Sequence, residues 1–155
     1  MTSDLERRLA ERGLRLPPAA APAANYQPYT ISGALLFVSG QLPFQDGKIA
    51  ISGRLGDGVS LEQGQEAARL CGLNILAQAK AACGGDLGKL ACCLKLGGFV
   101  SCTPTFFDHP KVVNGASDLI AGVMGAAGRH ARFAVGCASL PLDAAVEVEA
   151  IFELA

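Results

Sequence analysis

The sequence predicts a two-layer α/β sandwich, a mixed β-sheet with two long helices packed on one face. Three observations predict it. Apolar segments short enough for strands flank two long stretches of helical periodicity, in the order β-β-(β)-α-β-α-β-β. Two helices can cover only one face of such a sheet. The last segment alternates strictly, with Val146, Val148, Ala150 and Phe152 on one side and Glu147, Glu149, Ile151 and Glu153 on the other. The chain has 155 residues, enough for one domain with a sizeable core.

Each element has its own signal. Ser3 and Glu6 form a capping-box pair opening a short helix over Thr2 to Gly13. A Pro/Ala stretch follows from Leu16 to Ala24 and reads as an extended linker, so the compact domain is expected over residues 25–155, with residues 1–24 as an appended helix and linker. Tyr29 to Ser32 and Leu35 to Ser39 read as strands joined at Ser32–Gly33. Asp46–Gly47 marks a hairpin turn before a short strand at Ile49 to Ser52, and Gly53 to Gly58 reads as a loop. Ser60 and Gln63 cap the clearest helix, whose apolar face carries Ala68, Cys71, Ile75, Ala79 and Ala82 until Gly84–Gly85 stops it. Leu90 to Cys102 reads as a strand buried on both faces and bulged at Gly97–Gly98. Asp108, His109 and Pro110 open the second long helix, which Gly128 ends. Ala131 to Ala138 and Ala144 to Leu154 are the last two strands, with a turn at Leu140 to Asp143.

Composition narrows the function. Half the residues are hydrophobic and 17% are charged, which excludes disorder. With 13 basic against 14 acidic residues there is no excess charge to hold a phosphate backbone, so no nucleic-acid partner is expected. No apolar run is long enough for a membrane span, and the first eight residues are too charged for a secretory leader, so the expected compartment is the cytoplasm. The six cysteines show no CxxC or zinc spacing, and they read as buried free thiols. No metal is expected. Gly84 to Lys89 lacks the first Gly and the Ser/Thr of a phosphate loop. His109 and His130 read as capping or surface residues. A sheet with an uncovered, partly apolar face predicts an oligomer.

The informative segment runs from Ala131 to Ala150. Arg132 stands among small and apolar residues on a strand, where a buried charge requires an anion or a cluster of acceptors. Its planar fork suits a carboxylate held by two hydrogen bonds. The alternative is an internal ion pair with Glu147 or Glu149 on the next strand.

The Ala131–Arg132 pair, the Leu140–Pro141 turn and Val146-Glu147-Val148-Glu149-Ala150 together resemble the C-terminal signature of the Rid (YjgF-like) family. Pro28–Tyr29 with Val38-Ser39-Gly40-Gln41-Leu42-Pro43, and Val112-Val113-Asn114, resemble the family's N-terminal motif and the start of its second helix. The resemblance runs in order from residue 25 to the end. It implies a chorismate-mutase-like fold and a homotrimer with clefts between subunits. It implies a reaction in which a 2-imino or 2-enamino acid is hydrolysed to a 2-keto acid and ammonia. By the same resemblance Arg132 holds the substrate carboxylate and Glu147 positions the hydrolytic water, while Tyr29, Ser39, Gly40 and Asn114 complete the pocket. The imine is itself electrophilic, so no cofactor is called for. Ala134 stands where the deaminase subfamily commonly has cysteine, on the same strand face as Arg132, which alters the pocket floor. This leaves a second reading open: a trimer that binds a small carboxylate without turning it over.

Overall fold

The computed structural model describes residues 2–22 and 24–155. The five-stranded sheet consists of β1 (Tyr29–Ser32), β2 (Leu35–Gln41), β7 (Leu90–Ser101), β8 (Ala131–Cys137) and β9 (Val146–Leu154), in the order β1-β2-β9-β7-β8. β8 runs parallel to β7; the other neighbours are antiparallel. Two small pairs lie beside it, β3 (Phe44–Gln45) with β4 (Lys48–Ile49) and β5 (Arg54–Leu55) with β6 (Gly58–Val59). The helices are α1 (Asp4–Glu11), α2 (Leu61–Ala82) and α3 (His109–Met124).

Both capping boxes form, at Ser3/Glu6 and Ser60/Gln63. α2 packs on β9 and β2, with α3 beside it on β7 and β8, and nearly every residue from Ala67 to Ala79 is buried. Val146, Val148, Ala150 and Phe152 are fully or almost fully buried against the helices, as the alternation predicts. α1 joins the same core: Leu9 is buried, and Leu5, Leu14 and Leu16 pack around it. Lys80 Nζ meets Glu6 at 2.6 Å, and Gln78 Nε2 donates to Ala20 O at 2.7 Å, so Ala20 also lies against α2.

Four expectations change. The register of β7 against β9 slips between Leu90 and Cys92 and between Cys93 and Lys95, not at Gly97–Gly98. Those glycines serve close packing instead: a Cβ on Gly97 would sit 2.5 Å from the Phe133 ring, and one on Gly98 would sit 2.5 Å from Val113. The Gly53–Gly58 loop contains β5 because the apolar Leu55 side chain is buried in the core. α3 stops at Met124, and Gly125–Gly128 continues as a 3-10 turn. Finally, β7 is not buried on both faces. The helix-facing residues Cys93, Leu96 and Val100 are buried, but Leu94 is exposed and Phe99 only half-buried.

The face away from the helices carries Leu35, Phe37, Phe99, Phe133, Val135 and Ile151, with Lys95, Glu147 and Glu149 among them. Phe37 is 39% exposed and Val135 42%. Among the described residues no helix is long and apolar enough to cross a membrane.

Candidate functional site

Arg132 pairs with Leu96 across the β7–β8 ladder, so its side chain leaves the sheet on the helix side. β8 is the edge strand, and the guanidinium reaches past it to the first turns of α3. Nη1 donates to Asn114 Oδ1 at 2.8 Å and to Ser117 Oγ at 3.1 Å; Nη2 donates to Pro110 O at 3.2 Å. All three acceptors are neutral. No carboxylate lies within ion-pair distance among the described residues. The expected alternative, an ion pair with Glu147 or Glu149, is therefore wrong in this chain. The two strands are not neighbours, because β7 lies between them, and the glutamates point to the opposite face.

A second layer holds this arrangement. His130 Nδ1 lies 2.6 Å from Gly128 O, and its Nε2 lies 2.8 Å from Ser117 Oγ. A carbonyl can only accept, so Nδ1 carries the ring proton. Nε2 then accepts from the Ser117 hydroxyl, whose oxygen in turn accepts from Arg132. His130 thus caps the last carbonyl of the Gly125–Gly128 turn, as expected of a capping residue, and through its other nitrogen forms the far end of a relay to Arg132. Its position two residues before Arg132, just ahead of the strand, is the signal that could have revealed it. Ser117, one helical turn beyond Asn114, had a similar signal.

Glu147 is built differently. It pairs with Phe99 and projects from the open face, half-buried. A Cβ on Gly40 would lie 2.7 Å from Glu147 Oε1, so the absence of a side chain at Gly40 is what leaves room for the carboxylate. Burial pushes its pKa above the usual carboxylate range, and the charge of Glu149 adds to the effect. Ser39 is adjacent, its hydroxyl donating to Gln27 O at 2.7 Å. Tyr29 pairs with Val38, half-buried at the sheet margin.

The expected site residues therefore fall into two groups. Arg132, Asn114 and Ala134 stand at the β8 edge, and Tyr29, Ser39, Gly40 and Glu147 stand around β2 and β9. Three strand spacings separate β2 from β8, about 14 Å. Arg132 and Glu147 also face opposite ways through the sheet. One chain does not bring the two groups together. Among the described residues no three His, Cys, Asp or Glu side chains cluster as a metal site.

Comparison with known proteins covers the whole fold. The family model described as "YjgF/chorismate mutase-like, putative endoribonuclease" matches residues 6–154. Protein TCP17 of Trypanosoma cruzi is 50% identical over 147 residues, covering 94% of this chain and 91% of that one. The crystal structure of Atu1372 from Agrobacterium tumefaciens, a protein of unknown function, superposes with a TM-score of 0.92 at 55% identity, covering 98% and 93% of the two chains. That of E. coli TdcF with bound serine superposes at 0.59 and 27% identity, covering 90% and 93%. The chain thus belongs to the YjgF/chorismate-mutase-like family, the Rid family its C-terminal motif resembles.

Proposed function

We propose that this protein hydrolyses 2-imino or 2-enamino acids to 2-keto acids and ammonia, in clefts between the subunits of a homotrimer. One observation carries the reading: the Arg132 guanidinium is held in place by neutral acceptors only, with its positive charge left for a ligand. A substrate carboxylate is the natural occupant. Asn114, Ser117 and Pro110 fix the fork in advance, so little ordering is left to do on binding. The serine bound to TdcF, a family relative, is itself a small amino acid with a carboxylate.

The separation of the two residue groups is the argument for a cleft. A neighbouring copy laid on the open apolar face would carry its own residues to the edge of the first. Glu147, which burial makes a stronger base than a solvated carboxylate, then suits taking a proton from water. In the reaction, water adds to C2 of the imine while its proton passes to the carboxylate. The tetrahedral adduct takes that proton on nitrogen, and as the C–N bond breaks the hydroxyl gives its own proton through the carboxylate to the departing nitrogen, so that the C=O bond forms and ammonia leaves. The balance of 13 basic and 14 acidic residues does not favour the nuclease reading of the family label.

Ala134 favours the second reading, in which the trimer binds a small carboxylate without turnover. Ammonia and keto-acid release from imino acids generated by an amino-acid oxidase separates the two. Acceleration over buffer, reduced about 100-fold in Glu147→Gln, is the deaminase outcome. Tight binding of 2-ketobutyrate with no acceleration on any imine is the binder outcome.

A further inference from the structure

Cys102 and His109 form a second constellation at the other end of β8. Cys102 follows β7 directly, and its N–H donates to Cys137 O at 3.1 Å. His109 is the first residue of α3, and its Nε2 lies 3.4 Å from Cys102 Sγ. The Phe106 ring meets the imidazole edge to face at 5.6 Å and fixes its plane. Gly136 makes the meeting possible: a Cβ there would lie 2.5 Å from His109 Nε2 and 2.6 Å from Cys102 Sγ. Both side chains line a cavity of about 320 Å³ together with Phe106, Phe107, Arg54 and Cys137. Arg54 Nη2 donates to Cys102 O at 3.1 Å, while its Nε is buried without a partner in the same wall.

We propose that Cys102 is a nucleophile with His109 as its general base, directed at small electrophiles of the α,β-unsaturated carbonyl class. Burial holds the thiol up, against a smaller pull from Arg54, so the resting pair is a neutral S–H facing an imidazole nitrogen. The base therefore acts during attack rather than before it. Sγ bonds to the β-carbon as its proton moves to His109 Nε2. The C=C π pair moves to the carbonyl as an enolate, and the α-carbon takes the proton back. The net change is addition of S–H across the double bond, with no oxidant or co-reactant. The cavity volume admits an acyl group of a few heavy atoms, and two phenylalanine rings supply apolar walls. This site does not depend on the deaminase reading. Gly136 is four residues from Arg132, about 13 Å along a parallel strand.

The other thiols set the contrast. Cys102 is buried, as are Cys71, Cys83 and Cys93, whereas Cys92 and Cys137 are more accessible. Exposure alone would make Cys92 and Cys137 react first. The test treats the native full-length protein with acrylamide and follows adduct formation at all six cysteines by peptide mass mapping. Cys102 is expected to be modified first, and His109→Gln to slow it about 100-fold while leaving Cys92 and Cys137 unchanged. Modification of Cys102 only after denaturation, or an unchanged rate in His109→Gln, overturns the proposal. Should that variant fail to fold, the order of the six cysteines in the unaltered protein decides.

Discussion

Arg132 and Glu147 are both charged residues on strands, but the chain treats them in opposite ways. Arg132 meets three neutral acceptors from α3, and a serine–histidine relay stands behind one of them. Glu147 rests in the notch over Gly40 beside another glutamate, and burial raises its pKa. The first environment stabilises a charge in place. The second penalises one. A group finished within its own chain and a group still lacking a favourable partner are what a cleft assembled from two copies would require.

The contrast can be broken at four points. Arg132→Ala carries the largest expected effect, a loss of about 100-fold or more in 2-ketobutyrate affinity by calorimetry, from two charge-assisted hydrogen bonds. Unchanged affinity would remove Arg132 as the anchor, whereas a variant that fails to assemble would make it a structural residue. Phe37→Asp, on the open face, is next. Sedimentation is expected to show single protomers at micromolar concentration, with keto-acid binding lost alongside. A trimer that survives this change would place the subunit contact elsewhere.

His130→Ala should cost less, about 10-fold in affinity, because Ser117 loses the acceptor for its proton and holds Arg132 less well. His130→Gln, which keeps an acceptor, should recover part of that loss.

The smallest effect concerns Glu147 and pH. Its folded-state pKa is raised, so its contribution to stability is full below the unfolded value and is lost as pH rises through the folded one. Glu147→Gln should therefore melt about 1–2 °C higher than the unaltered protein at pH 7, after allowance for solvent screening, and equal to it near pH 4. A lower melting temperature at pH 7 would mean that a cation from a neighbouring copy already stabilises the carboxylate.

Much of the fold was legible because local signals fix local structure. Both capping boxes, the Asp46–Gly47 turn and the alternation of β9 involve residues within a few positions of one another. The misreadings have a different origin. Gly97 and Gly98 suggested a bulge, but they are small because Phe133 and Val113 press on them from distant parts of the chain. The Gly53–Gly58 segment looked like a loop, yet Leu55 is drawn into the core. For the site, the residue types were readable and the partners were not. An arginine on an apolar strand announces an acceptor cluster without saying which, and the ion pair with the next strand failed because sequence order is not sheet order.

By itself the sequence determined the elements, the two-layer architecture, the family and the identity of the arginine. Those depend on periodicity, capping and motif spacing, all of which are properties of short stretches of chain. Only the tertiary structure decided that β7 stands between β8 and β9, that His130 supports Arg132 through Ser117, and that Cys102 meets His109 over Gly136. Each of these depends on a crossover or a close approach between distant segments. The free energy of such contacts comes from packing the whole sheet against α2 and α3, and no window of sequence contains both sides of that packing.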